Sequence, residues 1–328
     1  MKVGKVSESV LKRSILKKIN IISEEVLIGA DIGVDCAVLA LSDKEAFVIS
    51  TNPVVKTTKD LGKIGVYTAT NNIAAAGAKP IGVMVSILLP TRNSESKLQG
   101  IMEQVVETCN SLQIQVMGGH TEVTTAVNQP IVTITGVGKI NKDSTFSPQN
   151  IKAGQDVVLT KWIGLEGTSI IAKEKEEVLT TRFSIGLIEE AKGFDKYLSV
   201  VKEAATAIRS GVCAMHDISS GGIFAALWEI AESADVGLQI DLKKIPVKQE
   251  TIEVCEFFEL NPYSLSSGGS MLMVTEKGHD LVNALQEEHI NAAVIGKIMD
   301  GNDRIVMNHE ERRFLIPPKA DELHKIYE

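Results

Sequence analysis

Between residues 61 and 76 the apolar positions recur with a helical period. With Leu61 at zero on a wheel of about 3.6 residues per turn, Leu61, Ile64, Gly65, Thr68, Ala69 and Ala76 fall on one face. Asn72 lies in the middle of that face and Asn71 points to its side. An amide in the centre of an apolar stripe is costly to bury without partners, so Asn72 is expected to cap backbone or touch a ligand. Gly77 closes the helix, Pro80 punctuates, and the apolar run to Pro90 predicts a buried strand. A second amphipathic helix is expected over 94–112, with Leu98, Ile101, Met102, Val105, Cys109 and Leu112 as its stripe. Near the N-terminus, Ser7 would cap a short basic helix carrying Val10, Leu11, Ile15 and Ile19.

Strand patterns separate these helices. A loop rich in Gly and Asp enters a strand at about Val34, and the run AFVIST ends in Thr51, Asn52 and Pro53. Two strand ends therefore present polar tips, Asp31 with Asp35 and Asn52. The run QIQVM leads to Gly118 and Gly119, which permit a sharp turn or close approach to a ligand, and His120, Thr121 and Glu122 follow. The β-rich run PIVTITGVGKI closes the first half, and the polar stretch after it sets a boundary, giving domains 1–150 and 151–328.

The second half repeats the alternation. A strand begins at Asp156 and a helix is expected over 194–209. His216 and Asp217 end an extended segment, and Ser219 or Ser220 would cap the next helix. Gly221 and Gly222 stand at its first turn, and Ile223, Leu227, Ile230, Ala231 and Ala234 form its buried face. Free N–H groups and the positive dipole end at such a start suit a phosphate or carboxylate. Helices and strands alternate in both halves, so each is α/β or α+β.

Composition narrows the class. The 328 residues are enough for roughly two domains. Hydrophobic residues make up 44% and aromatics only 4%, which predicts aliphatic cores. A net charge of -8 without a long basic run argues against a nucleic-acid surface. No apolar stretch approaches the ~18 residues of a membrane span and no secretory core is present, so a cytoplasmic protein is expected. Cys36, Cys109, Cys213 and Cys255 form no C-x-x-C pair and read as reduced core thiols.

Nine stretches in order, among them GVDCAVL, ISTNPVV, NNIAAAGAKPIGV, GGHTE, MHDISSGGIFAALWEIAE and NPYSLSSGG, resemble the superfamily of aminoimidazole ribonucleotide (AIR) synthetase. These are the PurM-like ATP-binding proteins, which include HypE, selenophosphate synthetase and thiamine-monophosphate kinase. MKVGKV and STNPVV lean towards the HypE branch. The resemblance implies an α/β N-terminal domain whose sheet pairs into a barrel across a homodimer, followed by an α+β domain. It also implies ATP between the partners and domains, Mg²⁺ held by acids, and phosphoryl transfer to a small-molecule acceptor. On that basis Asp35, Asn52, Asn72, Gly118, Gly119, His120, Thr121 and Glu122 would bind the nucleotide. Asp35 and Glu122 would hold the metal, and His216, Asp217, Ser219 and Gly221 the acceptor, with Asp35, His216 and Asp217 catalytic. Three positions depart from the pattern. Asn52 and Asn72 stand where relatives carry Asp, and His120 where the kinase branch has Asp. Amides are neutral ligands, so metal binding is expected to weaken. The ending HKIYE lacks the cysteine that HypE needs, which argues against carbamoyl dehydration. An ATP-utilising enzyme and a degenerate nucleotide-binding protein are the two readings that remain.

Overall fold

The strand runs of the first half assemble into one six-stranded sheet. In this computed structural model, residues 8–14, 16–18, 24–29, 31–32, 34, 36–142 and 148–327 are described. Helix α1 (Glu8–Ser14) precedes β1 (Val26–Ile28), β2 (Ala37–Ala40), β3 (Glu45–Val54), α2 (Leu61–Ala75), β4 (Lys79–Pro90), α3 (Glu95–Ser111), β5 (Gln115–Thr124) and β6 (Ile131–Asn141). The sheet order is β1-β2-β3-β6-β4-β5. Only β4 and β5 pair in parallel, joined by α3 as the crossover. The strand expected from Val34 begins at Ala37; Ser7, Ile15, Ile19 and Asp35 lie outside the described residues.

Helices α2 and α3 cover one face of this sheet. Leu61, Ile64 and Ala69 of α2 and Ile101, Val105 and Cys109 of α3 pack with Val83, Val85, Ile87, Val132 and Ile134 of the strands. Ser94 caps α3 by accepting from the Lys97 N–H. None of the described residues covers the other face: Met84 is 48% exposed, and His120 and Glu122 stand out on β5, an edge strand.

The second half is a seven-stranded sheet in the order β13-β12-β9-β11-β7-β10-β8. Its elements in chain order are β7 (Asp156–Thr160), α4 (Leu165–Glu174), α5 (Glu176–Leu179), α6 (Ile185–Lys192), α7 (Val201–Arg209), β8 (Ala214–Ile218), α8 (Gly222–Ala234), β9 (Gly237–Asp241), α9 (Gln249–Phe257), β10 (Ser270–Thr275), α10 (Gly278–Glu287), β11 (Ala292–Met299), β12 (Arg304–Asn308) and β13 (Glu311–Phe314). Helix α8 packs on one face through Ile223, Leu227 and Ile230. On the other face α7 and α10 are joined by Ala74 and Ala75 from the end of α2. Helix α2 thus touches both sheets, meeting β3, β4 and β6 of the first and β8 of the second. No helix among the described residues is long and apolar enough to cross a membrane.

Two elements differ from the expectation. The helix expected over 194–209 is broken into a 3-10 turn, Gly193–Tyr197, and α7. Between them the Leu198 carbonyl and Val200 N–H, which an unbroken helix would use internally, bond to the side chain of Asn71. The Gly118–Gly119 pair makes no sharp turn. β5 runs on to Thr124, and the pair sits where the β4–β5 register shifts between Val83 and Met84. At Gly119 (φ 158°) a Cβ would lie 1.8 Å from the Val85 carbonyl oxygen, so the strands approach too closely for any side chain. Gly119→Ala is therefore expected to lower stability by about 1–3 kcal/mol, read as a lower urea midpoint at unchanged m-value.

Candidate functional site

Three elements converge beside the end of β3. Ser50 and Asn52 lie two apart on β3 and so face the same side, towards α2. Asn72 of α2 reaches them, as its place in the apolar stripe requires, and Asp217 of β8 closes the group from the second sheet. Asn72 is 5% exposed and Asp217 4%. In the amide orientation that faces oxygen to donors and nitrogen to acceptors, Asn72 Oδ1 accepts from Ser50 Oγ at 2.9 Å and Asn52 Nδ2 at 3.0 Å. Its Nδ2 then donates to the Thr68 carbonyl at 3.2 Å and lies 3.1 Å from each Asp217 carboxylate oxygen.

The start of α8 lies alongside. Gly221, with φ 87°, is the N-cap and has no side chain to cap with; the expected role of Ser219 or Ser220 is not taken up. Instead the Ser219 carbonyl accepts from the Gly222 and Ser267 N–H groups. The N–H of the N-cap Gly221 is taken by the C-terminal segment. Asp321 Oδ2 accepts from the Gly221 N–H at 2.6 Å and Ser266 Oγ at 2.7 Å. Its Oδ1 accepts from the Ser266 N–H at 3.2 Å and Leu323 N–H at 2.8 Å. This carboxylate occupies the position to which sequence pattern assigns a ligand anion.

Around these groups lies a cleft of about 440 Å³, lined by both halves of the chain. Asn52, Thr68 and Asn72 form one wall, Ser219, Ser220 and Gly221 another, and Lys319, Asp321 and His324 a third. Lys56 also lines it and pairs with buried Glu166 at 2.8 Å. The cleft thus joins Asn52, Asn72, Ser219 and Gly221, with Asp217 directly behind Asn72.

Other candidates lie elsewhere. His216 precedes Asp217 on a strand and therefore faces the opposite side. Its Nδ1 lies 2.8 Å from the Asp217 carbonyl oxygen and its Nε2 3.4 Å from Glu229 of α8. Gly118, Gly119, His120, Thr121 and Glu122 are on β5, three strands across the sheet from β3, or about 14 Å at the usual spacing. There His120 Nε2 lies 3.3 Å from Glu122 Oε2, both side chains exposed. Asp35 is outside the described residues. Burial pushes Cys109 up to about 11 and Cys255 to about 12, which keeps both thiols protonated at neutral pH. Pattern reasoning missed Ser50, Lys56, Asn71, Ser266 and Asp321. A polar residue in the middle of an apolar run was the available signal for Ser50; the others depend on contacts across a hundred residues or more or, for Ser266, on 55.

Comparison with known proteins matches residues 33–140 to the N-terminal domain of AIR synthase related proteins and residues 152–308 to their C-terminal domain. A putative hydrogenase expression/formation protein of Methanocaldococcus jannaschii is 26% identical over 301 residues, covering 89% of this chain and 88% of that protein. Among solved structures, E. coli HypE superimposes with a TM-score of 0.74 at 21% identity, covering 93% of this chain and 96% of that one. The hydrogenase maturation protein HypE in complex with ATP superimposes with a TM-score of 0.68 at 17% identity, covering 98% and 97%. The fold is thus the two-domain PurM-like fold.

Removing the Asp321 carboxylate leaves the Gly221 N–H and the Ser266 donors without their partner. Asp321→Ala is expected to cost about 1–3 kcal/mol and to speed tryptic cleavage at Lys319, followed by mass spectrometry.

Proposed function

The chain belongs to the AIR synthase related protein family, and we propose that its inter-domain cleft binds the phosphate groups of ATP. The observation that carries this reading is the cleft itself. Asn52 and Asn72 from one half and Ser219, Ser220 and Gly221 from the other line a single space, into which the Ser219 and Ser220 hydroxyls and the Lys319 ammonium bring donors suited to phosphate oxygens. The solved HypE–ATP complex shares this fold and supports a nucleotide as the ligand.

The reaction class that fits is phosphoryl transfer to, or activation of, a small-molecule acceptor. Asp217 is the carboxylate nearest the cleft's amides, while His216 would act through the α8 side. Positioning and charge stabilisation carry most of phosphoryl-transfer catalysis. A specific observation favours a second reading, a nucleotide-binding protein without turnover. Asn72 is bonded to Asp217 and Asn52 where two further acids would strengthen the charge on a metal.

The uncovered face of the six-stranded sheet supports a homodimer in which two such faces close into a barrel. In that assembly residues 118–122 would lie at the interface and extend the nucleotide site from across it. The arrangement also gives exposed Met84 a partner surface.

Calorimetry with ATP and ADP tests the reading. Binding below about 1 mM is expected for ATP, and its loss is expected in Asn72→Leu. Absence of heat for either nucleotide at millimolar concentration overturns it. Release of phosphate or ADP at a steady rate separates the enzyme from the binding protein.

A further inference from the structure

Magnesium fits the cleft poorly, and the reason lies in how the Asn72 amide is used. An amide oxygen offers a metal two lone pairs. Both are taken, by Ser50 Oγ at 2.9 Å and Asn52 Nδ2 at 3.0 Å. The Asn72 nitrogen lies 3.1 Å from both oxygens of Asp217, so the N–H not donated to the Thr68 carbonyl occupies the side of the carboxylate that a cation would take. Among the described residues no group of three or more His, Cys, Asp and Glu is placed to hold a metal ion. A hard divalent cation needs several carboxylate or phosphate oxygens. Of the acids expected to hold one, Glu122 stands exposed on the uncovered face and Asp35 is outside the described residues.

The geometry points to a cleft that takes its polyphosphate as a metal-free anion, with the Asn72 amide standing in the place of a divalent ion between β3 and Asp217. This inference rests on the nucleotide reading above and narrows it to the uncomplexed form of the ligand. The remaining lining supports it. Lys319 and His324 line the cleft, as does Lys56, paired with Glu166, and Asp321, the one acid among its described lining residues, is engaged by the Gly221, Ser266 and Leu323 donors. Ser50, Asn72 and Asp217 are buried, Asn52 is half-buried, and the four are mutually bonded, so the network stays in register without an ion. Changing Asn72 to an acid replaces donors with an oxygen about 3 Å from Asp217, and two facing carboxylates at that separation share a proton or bind a cation.

Two measurements test this. In the wild type, apparent ATP affinity by calorimetry is expected to be at least as high in EDTA as in excess Mg²⁺, which converts most of the ATP to its magnesium complex. An affinity that falls more than about tenfold in EDTA overturns the proposal. In the second, thermal unfolding is followed without nucleotide in EDTA, Mg²⁺ and Mn²⁺. The wild-type midpoint is expected to stay fixed, whereas Asn72→Asp should melt earlier in EDTA and regain several degrees with either metal. A metal-induced rise in the wild type, or an Asn72→Asp protein that ignores the ions, overturns it. If that variant does not fold, Asn52→Asp serves in the same assay and the wild-type arms stand. Should ATP fail to bind in both buffers, the nucleotide reading falls. The melting series still decides whether the amide replaces an ion.

Discussion

Two consecutive buried amides in α2 hold the molecule's halves together. A buried amide left unpaired costs about 1–3 kcal/mol, and both are paired from the second half of the chain. Asn71 donates to the Leu198 carbonyl at 2.7 Å and accepts from the Val200 N–H at 3.0 Å. Asn72 bonds to Asp217 of β8 on one side and to Ser50 and Asn52 of β3 on the other. The segment gripped by Asn71 is held from behind as well. Lys161, whose burial lowers its pKa, donates to the Tyr197 and Ser199 carbonyls and pairs with Glu203 at 2.5 Å. Ion pairs of Lys173 with Asp60 and Asp195, and of Lys63 with Asp195, add partly buried links nearer the surface. The cleft is therefore shaped by hydrogen bonds that neither half can make alone.

Much of this organisation is legible along the chain. Helical period located α2 and α3 to within a residue or two, because each has a continuous apolar stripe and clear ends. A polar residue in the centre of a stripe marked Asn72 as requiring partners, and they are present. Asn71, by contrast, reads as a side-facing residue, since nothing local announces that another sheet packs on that flank. The adjacent His216 and Asp217 invite a joint role, yet strand alternation sends one to α8 and the other to α2. Glycine pairs were ambiguous for a similar reason. At 118–119 the requirement is strand proximity, and at 221–222 it is a helix start with positive φ.

Residues joined across long sequence separations were the least visible. Asp321 meets Gly221 a hundred residues away, and no short motif encodes the meeting. A helix start so close to the cleft normally leaves its amides to solvent or ligand. Here a side chain from the chain's own C-terminal segment fills that role, which also ties Leu323 and Ile326 into the core shared by both halves.

That seating has a thermodynamic corollary. One amide proton cannot serve two carboxylates or phosphates at full strength, so any external anion reaching Gly221 does so by exchange with Asp321. Linkage makes the exchange reciprocal: the free energy by which the segment disfavours the newcomer equals that by which the newcomer loosens the segment. Order in residues 321–327 is thus a readout of occupancy at the start of α8, some hundred positions earlier in the chain.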